Sequence, residues 1–217
     1  MGSPVQNSST GNTYRTSSPI RSGIFLVVLT MVYNSIEALV AIWSGWVAGS
    51  IALVGFGLDS VIELAAASVL LWRLQAEQKG FDEDEIEGRE HRVQRFVGVT
   101  FLLLALYVLI ESVFSLIGHH QAEKSTVGLI LAILSLVIMP IIAWGKFRVA
   151  NRIGSAALRA EAKETLACAY LSFTLFLGLG ANELFGFHWA DPVAALAMVP
   201  WLMKEGIEGI RGEEPEN

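Results

Sequence analysis

Two pairs of metal-ligating side chains, each spaced four residues apart, suggest the chemistry of this sequence. Asp59 precedes Glu63, and Glu164 precedes Cys168. Residues at positions i and i+4 lie on one face of a helix, with Cβ atoms about 5–6 Å apart. Two such faces turned toward each other would place four ligating atoms around one point, which is the arrangement of a tetrahedral divalent metal site.

The segments around these pairs are apolar runs of membrane-spanning length. Crossing a hydrocarbon core of about 30 Å takes about 20 residues. The sequence predicts six such helices, near residues 23–46, 50–73, 94–117, 126–147, 155–180 and 189–208. Asp59 lies about 13.5 Å into helix 2 and Glu164 about 13.5 Å into helix 5, at 1.5 Å per residue. Because these helices enter from opposite sides, both pairs are predicted near the middle of the bilayer.

The starts of helices 2 and 5 resemble each other. Residues 49–53 read Gly-Ser-Ile-Ala-Leu and residues 154–158 read Gly-Ser-Ala-Ala-Leu, and the ligand pairs follow at identical offsets. If helices 2 and 5 cross the membrane in opposite directions, the two segments would form an inverted repeat. In many transporters the binding site lies between such repeats, near the middle of the membrane. The shared residues are small or apolar and common in membranes, so a chance match is the alternative interpretation.

The composition of the whole chain places these helices in a membrane. Of 217 residues, 53% are apolar and 17% are charged, and the mean hydropathy is +0.52, whereas soluble domains carry about 25% charged residues. This excludes a disordered chain, a nucleic-acid binder and a typical soluble enzyme. The single cysteine excludes a disulfide framework. The predicted fold is an all-α integral membrane protein with six transmembrane helices.

Lysine and arginine residues predict the orientation of the helices. They occur before helix 1, after helices 2 and 4 and after helix 6, whereas the opposite side carries only Lys124. Because positive residues favour the cytoplasmic side, both the N and C termini are predicted to be cytoplasmic, with the plasma (inner) membrane as the location. The sequence divides into a disordered cytoplasmic tail (1–21), a six-helix domain (22–210) and a short cytoplasmic tail (211–217).

Other ionisable side chains within the predicted spans are accessory candidates, because such residues are costly in a membrane and mark functional sites. Glu37 with Asn34, and also Glu111, are interpreted as structural hydrogen-bonding groups rather than direct ligands. Glu161 would pass an ion toward the site from the cytoplasmic side. Asp191 is interpreted as the N-terminal cap of helix 6.

The ligand pairs have structural interpretations as well. Asp59 and Glu63 would bridge to Lys163 and hold helices together, with no metal involved. Cys168 taken alone would be a small core residue. Only its spacing from Glu164 favours a ligand role.

Two polar connections also allow two interpretations. The acidic segment 82–90 is interpreted as a solvated linker before helix 3, with a weak cation-attracting surface as the alternative. His119 and His120 lie between helices 3 and 4. They are interpreted as part of a solvated turn rather than a weak metal site.

The motifs, taken in order, resemble those of the cation diffusion facilitator family. They are Asn-x-x-Glu in helix 1, Gly-Ser-Ile-Ala-Leu before the acidic pair of helix 2, and Glu111 late in helix 3. Ala-Leu-Arg-Ala-Glu follows in helix 5, and Trp-Ala-Asp-Pro-Val-Ala-Ala-Leu opens helix 6. The resemblance covers about residues 24–210. It is strongest to a short branch of the family that lacks the C-terminal cytoplasmic domain.

The resemblance implies a transporter, not an enzyme, that exports a divalent metal, often zinc, with Asp59, Glu63, Glu164 and Cys168 as ligands. Family members commonly carry Asp or His and then Asp in helix 2, and His and then Asp in helix 5. This chain departs from both patterns, and its mixed carboxylate and thiol set does not select one metal. Zinc is the first expectation, with manganese, iron, cobalt and cadmium as alternatives. No prosthetic group is expected.

Proton-coupled antiport is the mechanism predicted for the site between helices 2 and 5. Metal ligands must be deprotonated, so metal binding releases protons. Metal ions and protons are thus the expected substrates, the lipid bilayer is the surrounding phase, and no nucleic acid is expected. A homodimer would form through transmembrane helices. The alternative is a membrane protein that binds metal or acts as a scaffold without moving ions.

Overall fold

The computed structural model describes residues 13–79, 83–118 and 123–211, which form six α-helices and, within these ranges, no strand. The helices are α1 Thr13–Ala48, α2 Ile51–Lys79, α3 Glu83–Gly118, α4 Thr126–Ile153, α5 Ala156–Phe185 and α6 Ala190–Arg211. The predicted all-α, six-helix fold is confirmed. Helices α1 to α5 are long and apolar enough to cross a membrane. Since α6 is shorter and carries charged residues near both ends, its crossing stays a prediction.

Two helices begin earlier than the apolar runs predict. α1 begins at Thr13 rather than near residue 23, and α3 begins at Glu83 rather than near residue 94. The segment that extends α3 toward its start is rich in Glu, Gln and Arg, which are good helix formers. Most of the segment predicted as a linker is therefore helical. The remainder of that linker, the first part of the predicted tail, and His119 and His120 lie outside the described residues.

Helix α2 lies at the centre of the bundle. It packs against α1, α3, α5 and α6, while α4 packs against α5 and α1, and α3 packs along α6. Fully buried alanines allow close packing between helices, and they include Ala41, Ala52, Ala132 and Ala195. Large apolar side chains such as Leu39, Trp43 and Trp46 cover the outer face of α1. Such a surface is suited to lipid rather than to water.

Helices α2 and α5 begin with the same local structure at opposite ends of the bundle. Gly49 and Gly154 precede them with left-handed φ angles of 63° and 71°, which glycine adopts without steric cost. The serine after each glycine accepts a hydrogen bond on Oγ from the backbone N–H three residues later. The distances are 3.1 Å to Leu53 N in α2 and 3.2 Å to Leu158 N in α5. Both helices therefore start in the same register relative to their candidate ligands.

Helices α3 and α6 approach each other most closely at two glycines, and this contact yields a stability prediction. A Cβ atom on Gly98 would lie 2.8 Å from both Gly206 O and Ile210 N, and backbone atoms cannot turn away as a side chain can. We expect Gly98→Ala to lower the free energy of unfolding by about 1–3 kcal/mol, seen as a lower thermal midpoint in detergent. Gly180→Ala is the matched control, because its Cβ would meet only Leu129 Cδ1 at 3.9 Å. Equal losses in both variants would contradict the prediction.

Candidate metal centre

Asp59, Glu63 and Cys168 come together in the interior between α2 and α5. One ligand atom of each residue lies within 4.8 Å of those of the other two, and all three side chains are buried. Among the residues that the structure describes, this is the one group of three or more potential ligands so closely spaced. The four-residue spacing places both carboxylates on one face of α2. Two carboxylates and a thiol at these separations can surround a single divalent ion.

Glu164 lies on the same helix as Cys168 but outside this group of three. Its side chain is half-buried. Glu164 precedes Cys168 by four residues on α5, so the two side chains share one face of that helix. The structure thus brings three of the four predicted ligands within reach of one ion and places the fourth nearby.

Helix α1 contributes two buried polar residues, three apart, that hydrogen-bond to the clustered side chains. Asn34 Nδ2 donates to Glu63 Oε2 over 2.8 Å. The Cys168 thiol donates to Glu37 Oε2 over 3.8 Å. Asn34 and Glu37 are each 1% exposed. They lie behind the cluster and orient its members.

Glu37 is itself held by hydroxyl groups from neighbouring helices. Ser60 on α2 donates to its Oε2 over 2.8 Å, and Ser135 on α4 donates to its Oε1. The Tyr33 hydroxyl shares a hydrogen bond of 2.7 Å with Ser135. Polar contacts therefore join α1, α2, α4 and α5 at one level of the bundle.

Lys146, at the end of the predicted fourth span, lies in the interior of the bundle. It is fully buried, and its Nζ lies 2.7 Å from Glu161 Oε1. The reason is that α4 continues to Ile153, two turns beyond Lys146, so the lysine is enclosed by helices. Glu161, predicted to pass an ion onward, is engaged in this ion pair.

Glu205 on α6 is a half-buried carboxylate that is absent from the predicted site residues. Helix α6 packs against both α2 and α5, which carry the candidate ligands. A usable signal was present, because Glu205 falls inside the predicted sixth span near 189–208. The rule that an ionisable residue within a span marks a site applies to it as it does to the others.

Asp191 and Glu111 lie away from the cluster. Asp191 does not cap α6, because that helix already begins at Ala190. Its carboxylate instead accepts hydrogen bonds from Ser50 Oγ and, over 2.9 Å, from Ile51 N, so it caps the start of α2 from a neighbouring helix. Glu111 is exposed on α3, on a face that points away from the bundle interior.

The helices and the buried ligands between α2 and α5 define a multi-pass membrane protein with a candidate metal centre in its interior. Residues 27–211 match the cation efflux transmembrane domain. The chain belongs to the cation efflux family, whose members are transporters rather than enzymes. The resemblance seen in the sequence motifs is thereby confirmed.

The chain is similar to several curated transporters. It is 25% identical to an uncharacterized transporter of Synechocystis sp., over 70% of this chain and 50% of that protein. It is 26% identical to the manganese efflux system protein MneS of Bacillus subtilis, over 77% of this chain and 57% of that protein. It is 21% identical to the cation-efflux pump FieF of Citrobacter koseri, over 79% of this chain and 58% of that protein. The chain therefore spans about half the length of the curated relatives it matches.

Proposed function

We propose that the protein exports a divalent metal cation, which binds between α2 and α5 at Asp59, Glu63 and Cys168. The observation that carries this proposal is the approach of three buried ligand atoms to within 4.8 Å of one another. Ionisable groups are costly inside a membrane, and a bound ion would offset that cost. Glu164 would complete a four-ligand site by turning its half-buried carboxylate toward the ion.

Zinc is the ion that we expect this ligand set to favour. A thiolate suits softer ions such as zinc and cadmium, whereas carboxylates suit harder ions such as manganese. The similarity to a manganese efflux protein keeps manganese as the principal competitor, followed by iron and cobalt. The single thiol of Cys168 is therefore the side chain that we expect to set selectivity.

Proton antiport is the coupling that we infer for export. A bound metal requires deprotonated carboxylates and a thiolate, so metal and protons compete for the same side chains. The Cys168 thiol, which donates a hydrogen bond to Glu37 Oε2, is one of the groups that would lose its proton when the metal binds. Protons that reload the site from outside would release the metal there and leave on the inner side when the next ion binds.

The positive side chains support an orientation with both termini in the cytoplasm. Most of the lysines and arginines with described side chains lie at the end of the bundle opposite the α1–α2 turn, namely Arg21, Arg95, Arg148, Arg152, Arg159, Lys204 and Arg211. Lys124 lies at the other end. By the positive-inside rule, export would proceed toward the α1–α2 turn. We place the protein in the plasma membrane, with a homodimer, if formed, held by membrane helices.

Metal uptake into proteoliposomes tests this function. Vesicles containing the purified protein and a fluorescent metal indicator are exposed to zinc, manganese, iron, cobalt or cadmium ions, with and without an acidic lumen. We expect protein-dependent zinc uptake that an acidic lumen accelerates, because each pH unit contributes about 1.36 kcal/mol per exchanged proton. An ionophore that collapses the pH gradient is expected to remove the acceleration.

Two outcomes would lead to different conclusions. Stoichiometric zinc binding without flux would support the alternative of a non-transporting metal-binding membrane protein. Metal flux that does not depend on the pH gradient would support metal transport but exclude proton antiport as its coupling.

A further inference from the structure

Lys146 on α4 is a fully buried cation in the part of the bundle that contains the candidate metal centre. Its Nζ donates to Glu161 Oε1 over 2.7 Å and to Thr165 Oγ1 over 2.8 Å. Glu161 and Thr165 are themselves buried. The carboxylate and the hydroxyl acceptor offset the cost of burying a charged ammonium group.

The ion pair lies directly beside the proposed ligands. Glu161, Thr165 and Cys168 share one face of α5, and three residues of helix rise separate Thr165 from Cys168, about 4.5 Å. Thr165, whose hydroxyl accepts a hydrogen bond from the ammonium, directly follows Glu164 in the chain and precedes Cys168 by about one helical turn. The residue that holds the ammonium is therefore adjacent to both candidate ligands of α5.

Stability alone does not account for a charge pair at this position. A buried ion pair often contributes no more to stability than apolar side chains of similar volume. Helices α4 and α5 are already joined by the tight turn at Gly154, and they pack along each other. The position of the pair beside the ligands points to a role in the metal site.

We propose that Lys146 is an internal counter-cation of the metal site, which weakens divalent ion binding enough for the ion to be released. The inference rests on the proposed function. Two carboxylates and a thiolate would hold a divalent ion with one surplus negative charge, in surroundings that strengthen electrostatic attraction. Transport requires binding that is strong enough to load the site yet weak enough to empty it. Lys146 lowers the affinity without blocking the site, since Glu161 and Thr165 hold its ammonium to one side.

Zinc binding by calorimetry, with zinc flux measured in parallel, tests the role of Lys146. We expect Lys146→Met to tighten zinc binding about 100-fold, the order expected for a unit charge acting on a divalent ion over roughly 10 Å in a protein interior, and to slow turnover. Glu161→Gln retains an acceptor for the ammonium but leaves its charge unbalanced, so we expect about tenfold weaker binding. Lys124→Met, which removes an exposed positive charge at the far end of the bundle, is expected to behave as the wild type.

The opposite signs of these shifts separate an electrostatic role from a structural one. If the pair only joins α4 to α5, both variants lose thermal stability and zinc affinity stays at the wild-type value in each, which would overturn the inference. Should Lys146→Met fail to fold, Glu161→Gln decides the question, and unchanged or tighter zinc binding by it would count against the proposal. Wild-type protein that neither binds nor moves zinc would instead remove the proposed function itself, and the inference with it.

Discussion

Replacing Asp59 by asparagine is expected to reduce zinc flux about 100-fold or more. Asparagine has nearly the same shape as aspartate, so the packing between α2 and α5 is retained while the charge that attracts the ion is lost. In a site with little water, one lost anionic ligand costs several kcal/mol of ion binding, and about 2.8 kcal/mol corresponds to a factor of 100. Initial zinc uptake by proteoliposomes, normalised to reconstituted protein, measures the effect.

A companion variant and a control make this result specific. Glu63→Gln keeps an oxygen that accepts the hydrogen bond from Asn34, so it also removes charge with little change in packing, and we expect a similar loss. Glu208→Gln removes a carboxylate that pairs with Lys204 over 3.6 Å on α6, and flux should stay at the wild-type rate. Folded Asp59→Asn protein that transports zinc within twofold of the wild type would exclude Asp59 from the ligand set.

The approach of Asp59, Glu63 and Cys168 to one another could be predicted in part from the sequence, because two local rules act together. The four-residue spacing determines which side chains share a helix face, and this follows from helix geometry alone. The Gly-Ser starts of α2 and α5 fold in the same way, so ligands at equal offsets reach equal depth from opposite ends. Neither step requires knowledge of how the other helices pack.

Lys146 could not be placed from hydropathy, because the end of an apolar run is not the end of a helix. Helix α4 continues through basic residues to Ile153. Lys146 is buried because other helices pack against this part of α4. An ammonium group near a predicted span end is normally interpreted as snorkelling to the interface. The partner that changes this interpretation, Glu161, lies on another helix, and its distance from Lys146 depends on tertiary packing.

The contacts of Asp191 could not be predicted for a similar reason. An aspartate followed by proline is a sound local signal for an N-cap, but α6 begins at Ala190, two residues earlier than an Asp191 cap requires. The carboxylate is then free to bond to the start of α2 instead. Local chemistry identifies Asp191 as a capping residue, and packing decides which helix it caps.

The hydrogen bonds around Glu37 constrain how the site changes its access. Groups from α1, α2, α4 and α5 meet at this carboxylate. Separation of any one of these helices from the others would leave buried polar groups without partners, which costs about 1–3 kcal/mol for each group. The helices around Glu37 are therefore expected to move together as one unit. The helix contacts that change when access to the site changes would lie elsewhere in the bundle.

Cys168→Ser is expected to change which ion the site prefers. The thiolate suits zinc and cadmium, whereas a neutral hydroxyl is a poor ligand for either, so we expect zinc affinity to fall about 100-fold. Manganese depends mainly on the carboxylates of Asp59 and Glu63, and its affinity should change about threefold or less. Serine retains a donor for the hydrogen bond that the thiol makes to Glu37. Calorimetric titration of both metals into each protein measures the change in ratio.

A cobalt spectrum distinguishes loss of a ligand from a general disturbance of the site. The chain contains one cysteine, so any thiolate-to-cobalt charge-transfer absorption must arise from Cys168. We expect that absorption in the wild type and its absence in Cys168→Ser. It should persist in Lys124→Met, whose exposed side chain lies far from the site. Wild-type protein that binds cobalt without this absorption would show that the metal is held by carboxylates alone, and selectivity would then follow oxygen ligands and favour the harder ions.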